Sequence, residues 1–254
     1  MSRPTALVTG PTAGIGRSFA VTLAERGYDL VLVARDRGRL DELAADLRRR
    51  FGVDVEVLPA DLADRVALAT VEDRVADASR PVDLLVNNAG FGHRRPFSDN
   101  DVEEEQAMLD VLVTAVLRVT HAAVRPMVAR GSGAIINVSS VAGFLRRGTY
   151  GAAKAYVTSF TEWLDVTYRD RGVRAMALCP GFVKTEFHQR MGVRRDSAPG
   201  WMWLDANRVV RDALDDLERG KSLSVPTRRY RALVALARYT PSSLQARFQE
   251  IGRR

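Results

Sequence analysis

Short runs of nearly unbroken apolar residues recur along the chain, and each is followed by a longer segment whose apolar positions fall three and four apart. The runs are Thr5 to Thr9, Leu30 to Val33, Val53 to Leu58, Val82 to Val86, Ala134 to Val138, Val173 to Leu178 and the short Leu223 to Val225. Between them, helical spacing covers Gly14 to Arg26, Asp36 to Phe51, Asp64 to Ala78, Glu103 to Arg130, Tyr150 to Arg171 and Asp205 to Glu218. Strands apolar on both faces, alternating with helices, predict a parallel sheet covered on both sides. The expected fold is a single doubly wound α/β domain over residues 1–254, with a mainly parallel sheet of about seven strands. After Pro180 the pattern loosens. Residues 181–225 read as a substrate loop and helix region that includes Trp201-Met202-Trp203, and 226–254 as a C-terminal helical extension.

Composition narrows this picture only a little. The 254 residues are 46% hydrophobic and 27% charged, ordinary values for a globular domain. The net charge is +7 and the sequence pI about 10.0. The arginines are interspersed with acids, as in Asp41-Glu42 beside Arg48-Arg49-Arg50, so no nucleic-acid partner is expected. Residues 228–252 are basic with spaced apolar positions (Tyr230, Leu233, Leu236, Tyr239, Leu244, Phe248). They read as helices packed on the domain or on a second subunit, with peripheral membrane contact as the lesser alternative. Cys179 is the sole cysteine, which rules out an intramolecular disulfide, and His93, His121 and His188 lack ligand spacing, so no metal site is expected. The chain runs into its first strand after a few residues, no secretory signal is recognised, and a cytoplasmic setting is the expectation.

Two stretches carry chemistry. Gly10-Pro11-Thr12-Ala13-Gly14-Ile15-Gly16 lies between the first strand and the first helix. Glycines there let a pyrophosphate approach the backbone, and the helix start offers unpaired N–H groups to that anion. Tyr150 and Lys154, four apart on a helix, share one face. An ammonium beside a phenol favours the phenolate, so the pair is suited to passing a proton to a carbonyl or from an alcohol. The chain has only three lysines among 38 basic residues, and one of them stands here.

Together with further marks in order, these stretches resemble the short-chain dehydrogenase/reductase family. The G-x-x-x-G-x-G spacing of Gly10, Gly14 and Gly16 is followed by Asp61-Leu62, Asn87-Asn88-Ala89-Gly90, Ser139-Ser140, Tyr150 with Lys154, and Pro180-Gly181-Phe182-Val183-Lys184-Thr185. Each mark falls at the carboxyl end of a strand, where open α/β sheets bind ligands. The resemblance implies a Rossmann-type fold. It implies an oxidoreductase that moves a hydride between a nicotinamide cofactor and a carbonyl or secondary alcohol. In that reading Tyr150 is the general acid/base, Lys154 lowers its pKa and holds the nicotinamide ribose, and Ser140 orients the substrate oxygen, with Ser139 lying against cofactor or core. The implied cofactor contacts are Gly10, Thr12, Gly14, Ile15, Gly16, Asp61, Leu62, Asn88, Ala89, Gly90, Tyr150, Lys154, Pro180, Gly181, Val183 and Thr185. At the end of the second strand, Ala34 stands where an acid would bind a ribose 2′-hydroxyl, and Arg35 follows. This predicts NADP(H) rather than NAD(H), with Arg35 on the 2′-phosphate. Asp36 is left with two readings, ribose ligand or N-cap of the next helix.

Leu112 departs from the family, which has an asparagine there supporting a water that links the lysine to solvent. Leucine has no polar group for this. Either another route serves, with the Thr114 hydroxyl as candidate, or turnover is slow. A cofactor-binding regulatory or scaffold protein is the alternative function. The loop from Ser140 to Tyr150 is shorter than the family's usual one and brings Arg146-Arg147 to the site mouth, as an anion contact or as solvated charge. Phe91, His93, Phe144, Phe182, Phe187 and Trp201 to Leu204 are the expected substrate contacts, an apolar set that predicts a hydrophobic carbonyl or alcohol. The two long helices imply a homodimer or homotetramer.

Overall fold

The computed structural model describes residues 3–93, 95–185 and 199–239. Strands β1 (Thr5–Thr9), β2 (Asp29–Ala34), β3 (Val55–Pro59), β4 (Leu84–Asn87), β5 (Gly133–Val138), β6 (Val173–Leu178) and β7 (Leu223–Ser224) form one sheet, in the order β3-β2-β1-β4-β5-β6-β7. Every pairing is parallel. The winding direction reverses between β1 and β4. That point is where a doubly wound sheet opens a crevice at the carboxyl ends of its strands.

Alternation along each strand sorts the side chains into two cores. Ala6, Val8, Leu30, Leu32, Val86, Ile136 and Met176 face α1 (Gly14–Glu25), α2 (Arg37–Phe51) and α7 (Ala206–Glu218). Leu7, Val31, Val33, Leu85, Ile135 and Ala175 face α3 (Arg65–Ala76), the long rod of α4 (Val102–Leu109) and α5 (Ala115–Arg130), and α6 (Gly148–Tyr168). Residues one apart are thus buried on opposite sides, which explains the unbroken apolar runs. Helix starts follow their caps: the carboxylates of Asp36, Asp64 and Asp205 accept N–H groups of Arg39, Ala67 and Arg208.

The expected helix from Glu103 to Arg130 is three pieces: α4 (Val102–Leu109), a π-helical turn (Asp110–Thr114) and α5 (Ala115–Arg130). The rod is long and apolar enough to cross a membrane by length and composition, with mean hydropathy 1.6 in its 18-residue window, and 44% of that window is buried. The buried part of it, including Val111, Ala115, Val119 and Ala123, packs on the sheet. The helix expected from Tyr150 begins at Gly148, which puts Tyr150 in the first turn.

One polar thread crosses this apolar interior. Asn87 and Asn137 are register partners on β4 and β5. Asn87 Nδ2 donates to Asn137 Oδ1 at 2.9 Å and to Thr120 Oγ1 at 3.0 Å, and Asn137 Nδ2 donates to Thr161 Oγ1 at 2.9 Å. All four residues are buried, so each polar group needs the partner it has.

After β6, Val183 bridges Leu204 in parallel. A 3₁₀ turn at Gly200–Met202 takes the place expected for local helix at Trp201. The C-terminal extension begins as α8 (Arg228–Tyr239), and residues 240–252 of the expected basic segment lie outside the described residues.

Candidate active site

The glycine loop is shaped by backbone crowding. Gly10 and Gly14 sit at φ +65° and +55°, a region other residues rarely adopt. A Cβ on Gly16 would lie 2.1 Å from Gly10 O and 2.4 Å from Asn88 Nδ2, closer than any real contact. The N-cap of α1 is Ala13, with no side-chain cap and no acid in the first turn. The first N–H groups of α1 are therefore available to an anion. An anion such as pyrophosphate fits this cradle in charge. Thr9, not singled out from the sequence, ties the loop to the end of β4. Its Oγ1 accepts from Asn88 N at 2.9 Å and Ala89 N at 3.0 Å. Asn88 Nδ2 donates to Thr9 O at 2.9 Å and Gly10 O at 3.1 Å. The Asn88 side chain thus braces the loop, while Ala89 and Gly90 edge the crevice. Across it, the methyl-bearing end of Thr185 stands 3.0 Å from where a Gly14 Cβ would be. Gly10, Thr12, Gly14, Ile15, Gly16 and Thr185 therefore come together as expected, although they are 175 residues apart at the extremes.

At the other end of the crevice, β2 stops at Ala34, and Asp36 is the N-cap of α2, its Oδ1 accepting from Arg39 N at 3.0 Å. That settles the two readings of Asp36 in favour of the cap. The Arg35 side chain is 75% exposed, with its Nη1 3.8 Å from Asp61 Oδ2. Arg39, one helical turn on, reaches Thr12 O with Nη2 at 3.4 Å. The sequence reading missed Arg39. The four-residue spacing from Arg35 was the available signal, masked by the many arginines of that helix. Asp61 Oδ1 accepts from Ala63 N at 3.0 Å, turning the chain after β3. The Leu62 side chain is core, leaving only its backbone for a cofactor.

Three structural features build the proton-handling group. Ser139 is buried, bonded to Lys154 O at 2.7 Å and Thr158 Oγ1 at 2.8 Å, which resolves its two readings toward the core. Ser140 opens the 3₁₀ turn Val141–Phe144, accepts from Ala142 N at 3.1 Å and hydrogen-bonds the Tyr150 phenol. Lys154 is 5% exposed, lies 5.8 Å from the Tyr150 ring centroid and donates to Val138 O at 2.7 Å. Burial pushes the Tyr150 phenol up to about 12, against partial lowering by the Ser140 hydrogen bond and the Arg147 guanidinium. Burial pushes Lys154 down to about 8. Among the chain's own groups, Ser140 and Arg147 lower the phenol, while the Lys154 ammonium donates to Val138 O. Cys179, buried beneath, is raised to about 11 by burial and is no nucleophile.

Leu112 lies in the π turn, fully buried, and packs in one cluster with Met108, Ala153, Phe91 and Tyr150. A Cβ on Gly90 would be 2.8 Å from Leu112 Cδ2 and 3.9 Å from Lys154 Nζ, so leucine fills the space beside the lysine with hydrocarbon. The Thr114 hydroxyl donates to Asp110 Oδ1 at 3.3 Å within its own turn.

The substrate side is apolar where it is described. Phe182 and Trp203 rings are 5.4 Å apart, and Val141, Phe144, Met202 and Leu204 pack on the cluster around Tyr230. Phe91 meets His93 edge-on at 5.6 Å, and His93 Nε2 is 3.0 Å from Glu104 O. Packing alone already requires glycine at 181, where a Cβ would lie 1.9 Å from the Tyr230 ring. Tyr230 Oη bonds Phe182 N and Met202 O at 3.0 and 2.7 Å, pinning both sides of this region. Pro180 and Val183 are buried and shape the floor of this region. Phe187 lies outside the described residues.

A doubly wound parallel sheet with a glycine cradle at its switch point and a Ser-Tyr-Lys group beside it defines a dinucleotide-dependent oxidoreductase. The chain belongs to the short chain dehydrogenase family, whose model matches residues 4–195. It is 39% identical over 186 residues to sulfoacetaldehyde reductase 2 of Chromohalobacter salexigens, covering 71% of this chain and 73% of that one. Among solved structures, a short-chain dehydrogenase from Sphingobium yanoikuyae in complex with NADPH matches with TM-score 0.85 and 36% identity, over 91% and 92% of the two chains. A bulky-bulky ketone specific alcohol dehydrogenase from Comamonas testosteroni matches with TM-score 0.81 and 30% identity, over 99% and 96%.

Proposed function

We propose that this chain interconverts a hydrophobic ketone or aldehyde and its alcohol with NADP(H), Tyr150 passing the proton. The observation that carries the reading is the Tyr150 phenol, hydrogen-bonded by Ser140 and backed by the Lys154 face of α6, at the mouth shared with the glycine loop. The phenol is protonated at neutral pH, and the Ser140 hydrogen bond and the Arg147 guanidinium, which lower it, favour passing its proton to a carbonyl oxygen. Ser140 shares that oxygen and orients it. The bound nicotinamide supplies the hydride in reduction and takes it in oxidation. Gly10, Thr12, Gly14, Ile15 and Gly16 would hold the pyrophosphate, and Ala89, Gly90, Tyr150, Lys154, Pro180, Gly181 and Thr185 the nicotinamide end. Leu112 leaves Tyr150 and Lys154 in place, which supports turnover over a purely regulatory role. Purified chain with NADPH and a panel of bulky aryl ketones is the test, and no oxidation of NADPH with any of them would sink the reading.

Arg35 and Arg39 flank the end of β2 where a 2′-phosphate would lie, and the NADPH-bound neighbour supports the same cofactor here. Replacing both by alanine should weaken NADPH binding by about 10- to 100-fold, since hydrogen bonds to a charged group contribute roughly 1.5–3 kcal/mol. NADH binding should hardly move. Fluorescence titration with the two nucleotides measures this, and equal losses for both would count against the assignment.

A second reading of the substrate rests on Arg147, whose guanidinium is close enough to act on the Tyr150 phenol. A small aldehyde bearing a fixed negative charge would pair with it, as the sulfoacetaldehyde reductase relative makes reasonable. Faster reduction of sulfoacetaldehyde than of any bulky ketone would select this reading.

We further propose assembly as a homodimer or homotetramer through α6. Tyr156, Phe160 and Trp163 stack in a row at ring separations of 5.8 and 6.0 Å, and Tyr168 meets Trp163 edge-on at 6.1 Å, with Trp163 53% exposed. Light scattering at micromolar concentration should return two or four chains, and a single-chain mass would refute it.

A further inference from the structure

The α4–α6 junction holds a buried carboxylate that none of the roles above uses. Glu105, in the first turn of α4, is only 6% exposed. Its Oε2 accepts from Thr149 Oγ1 at 2.5 Å and its Oε1 from Asn100 Nδ2 at 2.6 Å. Thr149 is the second residue of α6, and Tyr150 is the third. The α6 N-cap, Arg147, makes no side-chain cap bond. A carboxylate from a neighbouring helix thus stands at the first turn of α6, where the helix N-terminus favours negative charge. Burial opposes ionisation of Glu105, but its two hydrogen bonds and the charge of His93 outweigh it and hold the carboxyl below its ordinary range.

A buried carboxylate with neutral donors is costly to keep unless its position matters. We propose that Glu105 is a positioning residue for Tyr150: by holding Thr149 it fixes the height and rotation of the first turn of α6, and so the place of the phenol relative to Ser140. The proposal rests on the reading of Tyr150 as the proton donor. Glu105 touches none of the reacting atoms. It links α4, which runs directly into the π turn with Leu112, to the turn that carries the phenol, so two walls of the site share one joint.

The test compares Glu105→Ala, Glu105→Gln and Thr149→Ala in the full chain, with NADPH and 4-nitrobenzaldehyde as the probe pair. Glu105→Ala should lower kcat about tenfold or more, with KM for NADPH changed less than about twofold, because a misplaced group loses rate rather than cofactor affinity. Glu105→Gln, which keeps an acceptor for Thr149, should recover most of the loss. Thr149→Ala should match Glu105→Ala, and the double variant should lose no more than either, as for two parts of one contact. Unchanged kcat in Glu105→Ala, no recovery in Glu105→Gln, or additive losses would overturn the proposal. If the wild type reduces no carbonyl, the function reading falls separately, and amide exchange then decides. Faster exchange at residues 148–152 in Glu105→Ala, with residues 115–130 unaffected, would uphold the joint. Unchanged exchange at 148–152 would overturn it.

Discussion

Tyr150→Phe should remove carbonyl reduction almost entirely while the protein folds and binds NADPH as before. The ring keeps its packing against Leu112, Met108 and Ala153, so the core loses no volume. The α6 turn and the Lys154 bond to Val138 are untouched by losing one oxygen. What disappears is the proton donor and the hydrogen bond with Ser140. Positioned acid catalysis contributes roughly 10²- to 10⁴-fold, so kcat should fall by that range or more. Thermal melting within a degree or two of wild type and an unchanged NADPH titration would show that the loss is chemical. Reduction that survives undiminished would remove Tyr150 from the mechanism and reopen the regulatory alternative.

Gly16→Ala should be as damaging by a different route. Its new methyl would need to occupy space 2.1 Å from Gly10 O and 2.4 Å from Asn88 Nδ2. Neither neighbour is a flexible side-chain tip free to swing away. Gly10 N is held by Val33 O at 2.8 Å, and Asn88 is clamped to Thr9 and Gly10. The loop itself must shift. Overpacking of this kind costs about 1–3 kcal/mol, and the same shift spoils the cradle. NADPH affinity should drop at least about tenfold, with one hydrogen bond's worth of loss setting the lower bound. Gly38→Ala is the control, because its nearest neighbour is Asp36 Oδ1 at 3.5 Å, an ordinary contact. Calorimetric melting and NADPH titration of both variants decide the matter. Equal behaviour of the two would mean the crowding at Gly16 is relieved at no cost.

The pattern of apolar runs located all seven strands and the parallel sheet because strands buried on both faces leave a strong mark in the chain. Strand ends shifted by a residue or two, as in β3, where Pro59 rather than Leu58 is last; the edge of a sheet is set by pairing, not composition. Loop and site residues with a chain-order signature, such as Gly16, Ser140 and Lys154, were legible together. Those whose role comes from a distant partner were not. Glu105 reads as one acid in a helical run Glu103-Glu104-Glu105, and only the approach of Thr149 singles it out. The close packing of Tyr230, 49 residues later, on Gly181 had no mark in the local sequence. The direction of the Lys154 ammonium was equally hidden, since spacing places a side chain on a face but does not choose its hydrogen-bond acceptor. The π turn around Leu112 leaves no compositional trace at all.

The asparagine pair inside the sheet bears on how the crevice comes to have a level rim. Valine, leucine and isoleucine runs slide past one another with little penalty, so apolar strands alone leave their alignment degenerate. Asn87 against Asn137, with Thr120 and Thr161 waiting on the flanking helices, breaks that degeneracy: a slip of one residue would strand four polar groups in hydrocarbon. The two asparagines stand immediately before Asn88-Ala89-Gly90 on one strand and two residues before Ser139-Ser140 on the next. They act as an alignment pin, and the chemistry inherits its level from them.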